Sequence, residues 1–177
     1  MTERRFKADN MKNIIKTALC ILTAALVFSS CTSAGDSPQI SMYDLRNAMI
    51  QGVEFGDMTY VSSSDGDAEK SFGYLSDMDY SKIESFFMYY ASDGAKSADE
   101  IAVITVKDGE DPAEALSSLK DHLEYRKSLY RNYGADQLPK LERAVTVSRG
   151  NCAALIVCDD NPAVRAGFEN YLKQHSS

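Results

Sequence analysis

The sequence has little of the chemistry that most hydrolase sites need, because it holds two histidines among its 177 residues. A serine or cysteine nucleophile requires a neighbouring base, most often histidine. His175 lies in the C-terminal tail, and His122 lies on the flank of a predicted long helix, beside Leu123. We therefore expect a chain without enzymatic activity.

Motifs for metal ions, phosphates and dinucleotides are also missing. The sequence has no paired-cysteine metal motif, no phosphate loop and no dinucleotide fingerprint. Four acidic clusters leave a weak cation-binding module as an alternative, but none spaces its oxygens over about 12 residues with a closing glutamate, as a calcium loop does. These clusters are Asp65 with Asp67 and Glu69, Asp77 with Asp79, Asp108 with Glu110 and Asp111, and Asp159 with Asp160. We interpret these carboxylates as helix caps and solvated loop residues, and we expect no cofactor.

Cysteine is scarce in the part of the chain expected to fold. Cys20 and Cys31 belong to the N-terminal segment, which leaves Cys152 and Cys158. Six residues of extended strand would hold these two about 20 Å apart, whereas a disulfide places Cα atoms about 6 Å apart. We interpret each as a small buried apolar residue, with a bond to a partner's thiol as the alternative.

Basic residues are outnumbered, with 19 against 26 acidic residues. Residues 1–30 hold five of the basic and two of the acidic residues, so the remaining chain has a net charge of −10. Such an acidic surface repels nucleic acid and anionic lipid headgroups. We expect neither to be a partner.

The N-terminal segment is typical of a lipoprotein export signal. Lys12 and Lys16 precede an apolar stretch at 17–28, which is too short to cross a bilayer that needs about 20 helical residues. Cleavage between Ser30 and Cys31 would leave a cysteine that can carry a thioether-linked diacylglycerol. Cleavage nearby by an ordinary signal peptidase, or an uncleaved anchor, remains open.

The predicted organisation therefore has three parts. Residues 1–30 form the signal peptide, residues 31–40 are the lipidated cysteine with a polar tether, and residues 41–177 form a single domain. The lipid on Cys31 would hold that domain on the extracytoplasmic face of the cell membrane.

The domain shows helix caps and apolar runs in a regular order. Ser41 and Gly52 bracket a short helix, and Asp111-Pro112 begins a long helix that reaches about Tyr133. A short strand is expected near residues 58–61, further strands at 83–90, 101–106, 144–147 and 152–158, and a last helix from Asn161-Pro162.

A strand-strand-helix plan occurs twice, at about 83–133 and 143–174. Each helix has an apolar stripe that must be buried against a sheet. We therefore predict an α+β fold in which the repeated units form a four-stranded, mostly antiparallel sheet with helices packed on one face, preceded by the short N-terminal helix. A coincidental likeness of the two units would predict the same architecture.

The pattern resembles a family of small lipoproteins of Gram-positive bacteria known as domain of unknown function 4358. The likeness involves Cys31, residues 97–103, the long helix, residues 138–145 and the end of the last strand at 157–160. The resemblance implies no assigned activity. Family members are similar to envelope proteins associated with cell-wall or polysaccharide O-acylation systems.

Tyrosines offer a candidate partner surface, because a tyrosine ring can be buried against a partner while its hydroxyl stays available. We single out Tyr89, Tyr125, Tyr130 and Tyr133. The leading hypothesis is a non-enzymatic, lipid-anchored protein that binds or scaffolds an envelope protein or wall component. The alternative is an enzyme subunit or accessory factor in cell-wall or polysaccharide modification.

Overall fold

The computed structural model describes residues 40–175 as alternating helices and strands. The helices are α1 (Met42–Ile50), α2 (Ala68–Phe72), α3 (Pro112–Tyr133), α4 (Leu138–Glu142) and α5 (Asn161–His175). The strands are β1 (Met58–Ser62), β2 (Ile83–Ala91), β3 (Glu100–Val106), β4 (Val145–Arg149) and β5 (Cys152–Val157). A 3-10 turn at Tyr80–Lys82 leads into β2.

The five strands within residues 40–175 form one sheet in the order β1-β2-β3-β5-β4, and every neighbouring pair is antiparallel. The predicted α+β class and antiparallel sheet are confirmed, but the sheet has five strands rather than four. The fifth is β1, which pairs along β2 from Met58 opposite Ala91 to Ser62 opposite Phe87. Without β1, the nine-residue β2 would present a long unpaired edge.

Helices cover both faces of the sheet, so the expectation of helices on one face is wrong. Every residue of β3 and β5 is buried. Because successive strand residues point to opposite faces, Ala102 and Ile104 belong to one apolar cluster while Ile101 and Val103 belong to the other. Burial of both sets requires a layer of helices on each side.

The long helices of the two strand-strand-helix units lie in different layers. Helix α3 packs on the face that holds Phe86 and Leu155, through Leu119 and Leu123. Helices α1 and α5 pack on the opposite face, where Phe168 contributes to the core. The repeated element order is therefore present, although its two long helices lie on opposite sides of the sheet.

The predicted caps mark the starts of α1 and α3. Ser41 Oγ accepts a hydrogen bond from Asp44 N at 3.3 Å, and Asp111 Oδ1 accepts one from Ala113 N at 2.9 Å. At α5 the corresponding acceptor is Asp160, whose Oδ1 binds Ala163 N at 3.1 Å. Each bond satisfies a backbone donor that the helix itself leaves unpaired.

Asn161, which the sequence places at the start of the last helix, is a buried connector. Its amide nitrogen donates to Arg143 O at 2.8 Å, and its Oδ1 accepts from Cys158 N at 2.9 Å. The side chain therefore joins the end of β5 to the segment that precedes β4.

Cys152 and Cys158 are both buried and do not bond to each other, as the sequence predicts. Burial raises the pKa of each thiol to about 11. Both therefore remain protonated at neutral pH and lack the thiolate character of reactive cysteines. Within residues 40–175, no helix is both long enough and apolar enough to cross a membrane.

Candidate functional site

A buried carboxylate lies between the sheet and α3. Glu100 is the first residue of β3, on the sheet face that α3 covers, and its neighbours along the strand are apolar. His122 and Arg126 are one helical turn apart on α3, so they lie on one face of the helix above Glu100. We call these three residues the Glu100 cluster.

The cluster is held together by direct polar contacts. His122 Nε2 lies 3.0 Å from Glu100 Oε1, and Arg126 Nη1 forms an ion pair with Glu100 Oε2. Side-chain exposure is 5% for Glu100 and 12% for each of the other two. A carboxylate this buried is stable only when opposite charge and hydrogen bonds surround it.

The contacts decide the ionisation of Glu100. Burial alone would raise the pKa of this carboxyl, but the positive charge of Arg126 and the hydrogen bond from His122 outweigh it and lower the pKa below the ordinary 4.5. Glu100 is therefore ionised at neutral pH. An ionised carboxylate can only accept, so His122 Nε2 carries a hydrogen and donates a hydrogen bond to Glu100.

Arg126 also fixes the segment that leads into β3. Its Nη2 donates to Ala98 O at 3.1 Å, and its guanidinium lies over the Tyr130 ring at 5.5 Å from the ring centre. The Tyr130 hydroxyl donates to Gly94 O at 2.7 Å and approaches Ser97 O at 3.2 Å. One side of α3 thus holds residues 94–98 in place through the guanidinium of Arg126 and the hydroxyl of Tyr130.

A groove runs over this cluster, between α3 and the segment that follows α2. It comprises two depressions of about 620 and 400 Å³, and Tyr74 and His122 line both. Glu100 and Arg126 line the smaller one. Both volumes lie within the range of about 300–1,000 Å³ that is usual for ligand sites.

The larger depression has both aromatic and polar residues in its walls. Tyr74 and Tyr125 stand on it with 71% and 62% of their surface exposed. Two serines line the same depression, and Ser118 Oγ donates to Ser76 Oγ at 2.6 Å. These groups can stack against a ring and exchange hydrogen bonds with a ligand.

Two carboxylates in the groove are unpaired. Asp77 and Asp121 line the larger depression, and neither side chain has a hydrogen bond or ion pair with another residue in the 40–175 range. Glu114 lines it too, but this carboxylate pairs with Lys82 at 2.9 Å. The unpaired oxygens are therefore free to accept hydrogen bonds from a ligand.

The four tyrosines singled out in the sequence lie on two different faces. Tyr89 is on the α1 and α5 face, where its ring packs edge-on against Phe55 at 5.6 Å. The other three are on α3: Tyr125 lines the groove, Tyr130 clamps residues 94–98, and Tyr133 is 83% exposed at the helix end. The structure therefore does not bring them together in one surface.

The lipidation and cleavage residues, Ser30 and Cys31, lie outside the described residues. Several of the acidic residues act as the caps and loop acceptors that the sequence predicts: Asp65, Asp79, Asp111 and Asp160 each accept a backbone hydrogen bond. In the described part of the chain, no three or more His, Cys, Asp or Glu side chains form a group that could hold a metal ion.

Sequence reasoning placed His122 on a helix flank and missed its partners. Two signals were available: a glutamate that begins an otherwise apolar strand run, and a histidine and an arginine four positions apart on a helix with a buried stripe. A charged residue at the border of a buried strand requires a counter-charge, and the helix that follows is a natural source.

The family to which the chain belongs is shown by a match to a model of that family. Residues 56–158 match the model of the domain of unknown function DUF4358, which is more than half of the sequence. The chain belongs to the DUF4358 family. The DUF4358 match spans the whole sheet and α3, and therefore the groove, whereas α1 and α5 lie outside it. No curated protein and no solved structure matches the chain.

Proposed function

We propose that the chain is a lipid-anchored, extracytoplasmic protein of the cell envelope, and that it binds an envelope protein or a wall component through the α3 groove without transforming it. The lipid would be attached to Cys31 after cleavage from Ser30. The polar tether at 31–40 would keep the domain close to the membrane surface.

The observation that carries the binding role is how the groove distributes its charged groups. The groups most suited to proton transfer, Glu100 and His122, bind each other, and Glu100 also pairs with Arg126. Among the described residues that line the groove, the groups left without partners are the carboxylates of Asp77 and Asp121 and the exposed tyrosine rings, which suit recognition. A groove whose buried ionic groups are already paired, and whose exposed groups can still form hydrogen bonds, favours binding over catalysis.

A second candidate is an enzyme or accessory factor that acts on wall polymer. It is favoured by the presence of Ser118 and His122 in one groove, one helical turn apart, with Glu100 orienting the imidazole. It ranks second because Ser118 Oγ donates to Ser76 Oγ rather than to His122. This candidate predicts shortened or deacylated products from a bound polymer, whereas the binding role predicts an unchanged ligand.

The anchoring part of the proposal predicts an all-or-none change on replacement of one thiol. In a bacterial host that processes lipoproteins, the wild-type chain is expected in the membrane fraction. The Cys31→Ala variant is expected to lose the anchor, because a single lipid-bearing residue holds an otherwise acidic domain that has no attraction for anionic headgroups.

Cell fractionation followed by immunoblotting measures this difference, and Cys20→Ala provides the matched control within the same segment. The proposal requires Cys20→Ala to fractionate like the wild type. Equal membrane association of the wild type and Cys31→Ala would contradict it, whether the cause is an uncleaved anchor or another attachment.

A further inference from the structure

The geometry points to a hexosamine-containing oligosaccharide, neutral or cationic, as the ligand of the groove between Tyr74 and Tyr125. This assignment rests on the proposed binding function and names its ligand class. It follows from the exposed aromatic rings, from the hydrogen-bonding groups that line the same depression, and from the sign of the unpaired charges.

The aromatic walls require a ligand with flat apolar faces. Tyr74 and Tyr125 line the same depression, and most of each ring is in water. Removing such rings from water is favourable. The C–H face of a pyranose ring can cover a tyrosine ring while its equatorial hydroxyls point sideways to polar groups.

The polar groups that line the same depression match those sideways hydroxyls. Ser118 keeps its lone pairs after donating to Ser76 at 2.6 Å, whereas Ser76 Oγ also accepts from Met78 N and keeps only its O–H donor. Ser117 lines the same depression. Asp77 and Asp121 add unpaired carboxylate oxygens, which accept strong hydrogen bonds from hydroxyl, amide and ammonium donors. A sugar supplies many such donors around one ring.

The charges of the groove favour some sugars over others. Arg126, which lines the groove, is paired with Glu100, and Lys82 is paired with Glu114. The carboxylates of Asp77 and Asp121 therefore set the local field, which repels uronic acids and phosphorylated polymers. An amino sugar is favoured because its amide or ammonium nitrogen donates to these carboxylates.

Calorimetric titration of the full chain in detergent tests the assignment with three tetrasaccharides. These are the N-acetylglucosamine tetramer, the glucosamine tetramer and tetragalacturonate. We expect the first two to bind and the anionic one to bind at least about tenfold more weakly, which corresponds to about 1.4 kcal/mol. Asp121→Asn is expected to weaken the glucosamine tetramer more than the acetylated one.

Two tyrosines on the same helix give a matched pair of variants. Tyr125→Ala removes one wall and is expected to weaken the hexosamine tetramers at least about tenfold, within the range for loss of a stacked ring. Tyr133→Ala removes an exposed ring at the helix end, outside the residues that line the groove, and is expected to leave the affinity unchanged.

Three results would overturn the assignment: tetragalacturonate binding as tightly as the amino sugars, equal weakening by Tyr125→Ala and Tyr133→Ala, or no binding of either hexosamine tetramer. None of them bears on the fractionation of Cys31→Ala. Failure of the ligand assignment is therefore distinguishable from failure of the anchored-protein proposal.

Discussion

Replacing Glu100 with glutamine is expected to lower the free energy of unfolding by about 3–5 kcal/mol, because it leaves Arg126 buried without its counter-charge. The variant keeps the size of the side chain and one acceptor oxygen, so packing is preserved and the loss reports on charge. Urea unfolding followed by circular dichroism measures the difference.

The matched control is Glu54→Gln, which removes the same charge from an exposed loop position. Its effect should stay within about 0.5 kcal/mol. A loss below about 1 kcal/mol for Glu100→Gln would contradict the account, since it would mean that Arg126 finds another partner or solvent at little cost.

The same substitution has a defined pH dependence. The pKa of Glu100 is lowered in the folded state, so its contribution to stability is complete above its ordinary pKa of 4.5 and is lost as the pH falls through the lower folded-state value. The stability gap between the wild type and Glu100→Gln should therefore be constant at neutral pH and shrink in acid. A gap that widens in acid would show that burial, and not Arg126, dominates.

Replacing Gly167 with alanine is expected to destabilise the protein by about 1–3 kcal/mol, because α1 and α5 touch at this position. A Cβ added to Gly167 would lie 2.5 Å from Ala48 O and 2.8 Å from Met49 Cα. Both are backbone atoms, so the contact is relieved only if one helix moves. Helix propensity alone predicts the opposite sign, a gain of about 1 kcal/mol.

Gly66→Ala is the control for this second variant, because a Cβ there meets no atom within 4 Å. Urea unfolding measures the change in the free energy of unfolding for both variants. A Gly167→Ala chain as stable as the wild type would mean that α1 can shift on α5 without cost. The close backbone approach would then not contribute to the position of α1.

The sequence allowed the local structure to be predicted well, because caps and turns act over a few residues. Ser41 and Asp111 begin helices through bonds to donors two or three positions away. Gly52, with a φ of 77°, ends α1 in a conformation that most residues avoid. Such signals require no knowledge of the tertiary fold.

The layering was missed although the sequence contains a signal for it. The run Ile101–Val106 is apolar or weakly polar at every position, which is typical of a strand buried on both faces. A strand with one solvated face would alternate. The apolar stripes of the helices show that each helix packs on the sheet, but they do not specify on which side.

The site depends on contacts that no local pattern specifies. Glu100 and His122 are 22 positions apart, and they meet because α3 returns over the strand that precedes it. The groove further requires residues 73–78, which belong to a segment before β2. Only the packing of β3, α3 and residues 73–78 against one another shows that Tyr74 and Tyr125 line one depression.

The mass of the N-terminal peptide from membrane-fraction protein tests the central claim most directly. The account predicts that this peptide begins at Cys31 and carries a thioether-linked diacylglycerol. An unmodified peptide that contains residues 1–30, recovered from the soluble fraction, would contradict it.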